Sequence, residues 1–313
     1  MELIIQVALL IVGFGMLVKG ADWFVEGAAS IANRFGIPQI VIGLTIVALG
    51  TSAPEAAISI SAALKGSGDL TIGNVLGSNI LNVLVILGCT AVITPLVVQA
   101  NTFRYEIPFV IFITLLLTFL GRDGSVDFGD GIILWGLLLL FLGYLLYMSK
   151  SENMEIEDED EGKITSMWQL LLLTVLGVGL IVLGSNVTVN SATQLAQLFG
   201  LSDRLIGLTV VAFGTSLPEL ITSVTAGLKG KADIAIGNII GSNVFNVLFV
   251  AGTAALITPI TFAWQFFTDG LIATGIVVLL WFFIWKDRLL KRYAGGVLLA
   301  CYGAYFVYLV TLV

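Results

Sequence analysis

Two short segments carry the residues whose types and spacing could do chemistry. Gly50-Thr51-Ser52-Ala53-Pro54-Glu55 lies inside a long apolar run, and Gly214-Thr215-Ser216-Leu217-Pro218-Glu219 nearly repeats it 164 positions later. A proline within a helix donates no N–H and pushes aside the carbonyl four residues back, which here frees the carbonyls of Gly50 and Gly214. At membrane depth a freed carbonyl needs a partner, and a cation or a water supplies one. Thr51 and Glu55 are four apart and share a helix face, with Ser52 beside them. Thr215, Ser216 and Glu219 repeat the set. Oxygen-only ligands suit hard cations such as sodium, calcium or magnesium. A lone charge at mid-bilayer costs at least ~2.5–3.5 kcal/mol. Two carboxylates brought together cost more, unless a cation lies between them or one is protonated. One divalent or two monovalent ions would cancel Glu55 and Glu219. A buried, protonated pair with a purely structural role is the alternative.

A second motif follows each of the first: GNVLGSN at 73–79 and GNIIGSN at 237–243. Glycines four apart let two helices approach closely. Ser78 and Asn82, and Ser242 and Asn246, can then line the site with oxygens, or serve only as glue between helices. The chain has no histidine, which removes histidine proton relays and the usual imidazole metal ligands. Cys89 and Cys301 read as small core residues. Asp22 and Glu26 become Asn186 and Asn190 at the 164-residue shift, so they read as interface residues. The acidic run 151–161 holds seven acids and accounts for the net charge of −7. It reads as a solvated linker. It only echoes a calcium-binding helix–loop–helix, because Trp168 stands where the final glutamate belongs.

The elements that must position these residues follow from hydropathy. The 313 residues are 58% hydrophobic and 11% charged, with a mean hydropathy of +1.05. Apolar runs near twenty residues long follow one another with short breaks, the signature of an all-α polytopic membrane protein rather than a barrel. Ten spans are expected, near 3–25, 38–63, 70–93, 105–121, 128–149, 167–190, 204–228, 234–258, 267–285 and 293–312. Residues 42–95 align with 206–259 without a gap at 31 identities in 54 positions. The expected organisation is therefore 1–150 as a first five-span repeat, 151–163 as an acidic linker and 164–313 as a second repeat. An odd number of crossings forces the second copy to enter the membrane from the opposite side, giving an inverted repeat with broken helices at spans two and seven. Ten lysines and arginines fall on one set of loops and three, Lys65, Arg122 and Arg204, on the other. The positive-inside rule then puts both termini outside and the linker in the cytoplasm of a multi-pass plasma-membrane protein.

The doubled combination of GTS-x-PE and GN-x-x-GSN resembles the two repeats of the cation/calcium antiporter superfamily, most closely its prokaryotic-type sodium/calcium exchangers. The resemblance covers the whole chain. It implies a calcium site of Glu55, Glu219, Thr51 and Thr215. It implies sodium sites that use Ser52, Ser78, Ser216, Ser242 and both glutamates, with the carbonyls of Ala48 and Ala212. It implies that spans one and six slide as a gate. The potassium-dependent branch carries Asp where this chain has Asn246, which argues against potassium co-transport.

The expected function is secondary antiport of sodium for calcium by alternating access, electrogenic, with a proton/calcium or other divalent-cation antiporter as the alternative. A channel is disfavoured by the inverted repeat, and an enzyme by two glutamates with neither metal-binding histidine nor paired nucleophile. The expected partners are the two ions and the bilayer, with no cofactor, nucleic acid or obligate protein partner.

Overall fold

The computed structural model describes residues 2–65, 68–151, 166–199 and 212–312. The acidic linker beyond Ser151 and residues 204–211 of the seventh expected span lie outside the described residues. The described chain is almost wholly helical. In chain order the helices are α1 (Glu2–Phe35), α2 (Gln39–Thr51), α3 (Ala53–Leu64), α4 (68–93), α5 (102–120), α6 (Phe128–Ser151), α7 (Met167–Leu198), α8 (Ala212–Thr215), α9 (Leu217–Leu228), α10 (Ala232–Ile257), α11 (Trp264–Ile284) and α12 (Arg292–Leu312). Seven described helices are long and apolar enough to cross a membrane, or eight if the bent pair α2–α3 counts as one span. Large apolar side chains face outward, Leu140 at 71% exposure and Phe282 at 71%, as suits a protein solvated by hydrocarbon.

Helices α4 and α10 form the buried centre. Every residue from Ile234 to Phe245 is buried, and Ile72, Leu76, Ile80 and Leu84 of α4 are at most 1% exposed. The glycine motif explains the closeness on one side. A Cβ on Gly241 would sit 2.7 Å from the Leu44 carbonyl oxygen of α2, and one on Gly237 would sit 2.9 Å from the Cα of Gly43. Gly73 meets only Phe266 at 3.5 Å and Gly77 meets nothing within 4 Å among the described residues. Their counterpart segment, 204–211, is not described.

Helices α1 and α7 pack antiparallel along a seam of backbone. A Cβ on Gly13 would fall 2.4 Å from the Thr188 hydroxyl, one on Gly20 2.8 Å from the Gly177 carbonyl, and one on Gly27 2.4 Å from the Thr174 hydroxyl. From the opposing helix, Gly177 and Gly184 meet the backbone of Phe24 and Gly13 at 2.7 and 2.9 Å. Small residues seven apart keep one face clear of side chains, so the two backbones touch. Both helices run past their expected ends, to Phe35 and Leu198. In α1 the charged residues near the expected end, Lys19, Asp22 and Glu26, all lie on the helix itself. Asp22 meets Lys229 at 2.5 Å and Lys19 at 3.1 Å, and Glu26 lies 3.8 Å from Lys229. This gives the two acids the interface role expected of them.

Two short antiparallel strand pairs tie helix ends together. β1 (Leu96–Val97) pairs with β4 (Leu289–Leu290), and β2 (Ser125–Val126) with β3 (Ile260–Thr261). A shift of 164 residues, forward for one strand and back for the other, carries Leu96↔Leu290 onto Ile260↔Val126.

The seam generates a prediction. Gly20→Val or Gly177→Val forces a side chain into backbone and should destabilise the protein by about 1–3 kcal/mol. Gly15→Val, where nothing lies within 4 Å of the added carbon, should behave like the wild type. Thermal unfolding of the three variants in detergent compares them. Equal melting temperatures would show that the seam does not hold the pair together.

Candidate functional site

The GTS-x-PE segments form the joints of two broken helices. Helix α2 ends at Thr51 and α3 begins at Ala53, with a bend of 54° between them. Ser52 sits at the joint with φ −83° and ψ 6°, and Ser216 sits at the other with φ −92° and ψ 5°. Pro54 and Pro218 occupy the first turn of the half-helices that follow, where a missing N–H costs nothing. Gly214 has no room for a side chain, since an added Cβ would lie 2.1 Å from Val189. Its carbonyl accepts a hydrogen bond of 2.8 Å from Ser185. Glu55 and Glu219 each lie in the first turn of α3 and α9. There the helix N-terminus favours a carboxylate, while the preceding half-helix offers carbonyl oxygens.

The joints then exchange hydrogen bonds. Ser52 Oγ donates to Glu219 Oε1 at 2.9 Å, and Ser216 Oγ donates to Glu55 Oε1 at 3.5 Å. Each glutamate is thus held by the serine of the opposite joint, and the two carboxylates are brought to one place. They are 2% and 1% exposed. Their second oxygens, Glu55 Oε2 and Glu219 Oε2, have no hydrogen-bond partner among the described residues.

Asparagines from α4 and α10 complete the surroundings. Asn79 and Asn243 donate to each other's backbone carbonyls at 3.2 and 3.5 Å. Asn82 donates to Asn243 Oδ1 at 3.0 Å, and Asn246 to Asn79 Oδ1 at 3.1 Å. Asn82 and Asn246 also open the π-helical stretches Asn82–Leu87 and Asn246–Ala251, wider turns that often mark functional positions. With their amide nitrogens engaged, Asn82 Oδ1 and Asn246 Oδ1 are left without partners, as is Ser242 Oγ. Five of the buried atoms without a partner are therefore oxygens of residues singled out from sequence. A buried acceptor left unpaired is costly, and a cation is one partner that removes the cost. Oxygen donors with two formal charges suit sodium, calcium or magnesium.

The other expected site residues take these places. Thr51 is fully buried, its hydroxyl 2.9 Å from Asn238 Oδ1. Thr215 closes α8 and Ala212 opens it. The Ala48 carbonyl already accepts the Ser52 N–H at 2.9 Å and faces the Thr51 hydroxyl at 3.3 Å. Ser78 is buried at 7% exposure. Sequence reasoning missed the braces. Asn74 donates to the Glu55 carbonyl at 3.3 Å and to Ser59 Oγ at 2.8 Å; Asn238 donates to the Glu219 carbonyl at 3.4 Å and to Ser223 Oγ at 2.9 Å. The signal was present, because Asn74, Asn79 and Ser59 are all identical to their counterparts in the repeat.

A family model described as sodium/calcium exchanger protein matches residues 5–148 and 169–311. The chain belongs to this family. It is a family of transporters rather than enzymes. Among its relatives, the putative antiporter CaxA of Alkalimonas amylolytica is 42% identical over 262 residues, covering 82% of each chain. The sodium/calcium exchanger MaX1 of Methanosarcina acetivorans is 30% identical over 96% of this chain and 97% of its own. Solved structures of the sodium-calcium exchanger NCX_Mj superpose closely. One, soaked with zero Na+ and Ca2+, has a TM-score of 0.84 at 30% identity and covers 98% of this chain and 99% of that one.

The geometry generates a prediction for the carboxylates. Glu55→Gln and Glu219→Gln each keep the shape and remove one of the two charges. Each should weaken calcium binding by at least about thirtyfold, roughly 2 kcal/mol, with a melting temperature for the ion-free protein that does not fall. Calorimetric titration of purified protein measures it. Near-normal calcium affinity in either well-folded variant refutes a shared carboxylate site.

Proposed function

We propose that the protein is a secondary antiporter that exchanges sodium for calcium by alternating access. The observation that carries this reading is the pair of buried glutamates, held by each other's joints, with an unpartnered oxygen on each. Glu55, Glu219, Thr51 and Thr215 hold calcium. Ser52, Ser78, Ser216 and Ser242 hold sodium with both glutamates and the carbonyls of Ala48 and Ala212, and Asn82 and Asn246 line the site. The ions compete, because they need the same carboxylates.

The reading includes ten spans in two inverted repeats, 1–150 and 164–313. What supports it is that contacts recur under the 164-residue shift, in the strand pairs, the Asn79–Asn243 pair and the glutamate–serine crossings. Both termini lie outside and the linker lies in the cytoplasm of the plasma membrane. α1 and α7 form the gate that slides across the other eight spans, and their close backbone seam suits movement of the two as one body.

Three sodium ions for one calcium makes the exchange electrogenic by one charge. A tenfold sodium gradient contributes ~1.4 kcal/mol per ion, and one charge across 100 mV adds ~2.3 kcal/mol. Together, ~6.5 kcal/mol sustains a calcium gradient of roughly 10⁴ to 10⁵. A proton/calcium antiporter on the same fold is the second reading, since protons also neutralise carboxylates.

Two measurements test the proposal. Vesicles containing the protein and preloaded with sodium should accumulate radioactive calcium. Potassium- or choline-loaded vesicles should not, and potassium should not be required on either side, because Asn246 adds no charge. Uptake driven by a pH gradient without sodium would favour the proton-coupled reading, and a potassium requirement would contradict the role given to Asn246. The second measurement concerns the empty carrier. With both glutamates ionised it carries about −2 and is costly to move past an apolar barrier. Calcium inside should therefore exchange with calcium outside in sodium-free buffer, while net efflux into ion-free buffer stays slow. Fast net efflux at alkaline pH would indicate a channel.

A further inference from the structure

A groove of about 470 Å³ lies between α5 and α6, and neither Glu55 nor Glu219 lines it. Phe109 of α5 and Leu140 and Phe141 of α6 line it, and Phe109 and Phe141 stack on each other with ring centroids 5.3 Å apart. Leu140 is 71% exposed, so the groove opens on the outer face of two helices that are long and apolar enough to span a membrane. At one end stand Arg104, Glu106 and Tyr144. The Glu106 carboxyl is 1% exposed, and its Oε1 accepts a hydrogen bond of 2.8 Å from the Tyr144 hydroxyl. Arg104 is exposed. Among the lining residues the exposed charge is therefore a single cation.

The placement of that cation matters. Arg104 is in the first turn of the span that begins at Thr102, and the neighbouring span ends at Lys150. The charged end of the groove thus lies at the edge of the hydrocarbon, on the side to which the lysine and arginine distribution assigns the cytoplasm. An apolar channel that begins at a guanidinium matches an amphiphile with an anionic head. A guanidinium pairs with phosphate through two parallel N–H donors, and cytoplasmic leaflets are rich in anionic lipid. The duplication does not account for the groove's chemistry. The positions 164 residues after Arg104 and Glu106 are Thr268 and Gly270, so the cation belongs to one copy alone.

We propose that this groove binds an anionic phospholipid, with its phosphate on Arg104 and an acyl chain laid along Phe109, Leu140 and Phe141. The test is native mass spectrometry of the full chain in detergent, titrated separately with phosphatidylglycerol and with phosphatidylcholine of the same acyl chains. The wild type should retain phosphatidylglycerol in preference to phosphatidylcholine. Arg104→Gln should reduce retention of phosphatidylglycerol about fivefold, the equivalent of ~1 kcal/mol for one basic residue near the membrane surface. Arg122→Gln, which removes a cation beyond the other end of α5, should leave it unchanged. Leu140→Glu, which places a charge in the acyl path, should reduce retention of both lipids. Equal retention of the two lipids by the wild type overturns the proposal. So does undiminished phosphatidylglycerol binding in Arg104→Gln, or an equal loss in Arg122→Gln.

Discussion

Two carboxylates that cannot leave each other alone set the terms for this molecule. Among the described residues only three acids are buried, Glu55, Glu106 and Glu219. Glu106 is covered by a tyrosine. Glu55 and Glu219 are drawn to each other's joints, and each has an oxygen with no hydrogen-bond partner among the described residues, inside a protein that is itself surrounded by apolar solvent. Such an arrangement persists only if something else offsets the charge, which in the proposed function is a bound cation. Placing each glutamate in the first turn of a half-helix uses the dipole of that helix. The price is two interrupted backbones, whose loose ends must be satisfied elsewhere, as Ser185 does for the Gly214 carbonyl.

Rigidity at the site comes from asparagine rather than from packing alone. Asn74 and Asn238 each hold the backbone of one glutamate together with a serine one turn further on. Asn79 and Asn243 lock the two central helices to each other. A side chain with both donor and acceptor can bridge two strands of a polar network without adding charge, which is what a site already burdened with two negative charges needs. The helices outside this centre meet it through glycine, where backbones approach closely enough to dispense with side chains.

Much of this was legible in the residues. Pro54 and Pro218 mark the helix breaks, and hydropathy places helices where they occur. The self-similarity at 164 residues anticipates strand pairs as short as two residues, too brief for any propensity to reveal. Partner choice was not legible. Ser52 lies three residues from Glu55 in sequence and binds Glu219 instead, because proximity across a bend is decided by tertiary packing. The π-helical turns at 82–87 and 246–251 were also hidden, since no proline or glycine announces a widened turn within those stretches. The lengths of α1 and α7 were underestimated for a third reason. Hydropathy ends an apolar window at polar residues, Glu26 in α1 and Asn190 in α7, whereas a helix continues past such residues while its backbone stays paired, and Glu26 lies 3.8 Å from Lys229.

The crossing of serine and glutamate has a consequence at the level of the gene. Each half of the chain contributes one acid and the hydroxyl that steadies the other half's acid. A message that stops in the linker therefore encodes half a site, with a glutamate whose steadying serine was never made. Two messages, one for each half, contain every atom of it. Joining the halves in one chain guarantees stoichiometry, one first half for each second half.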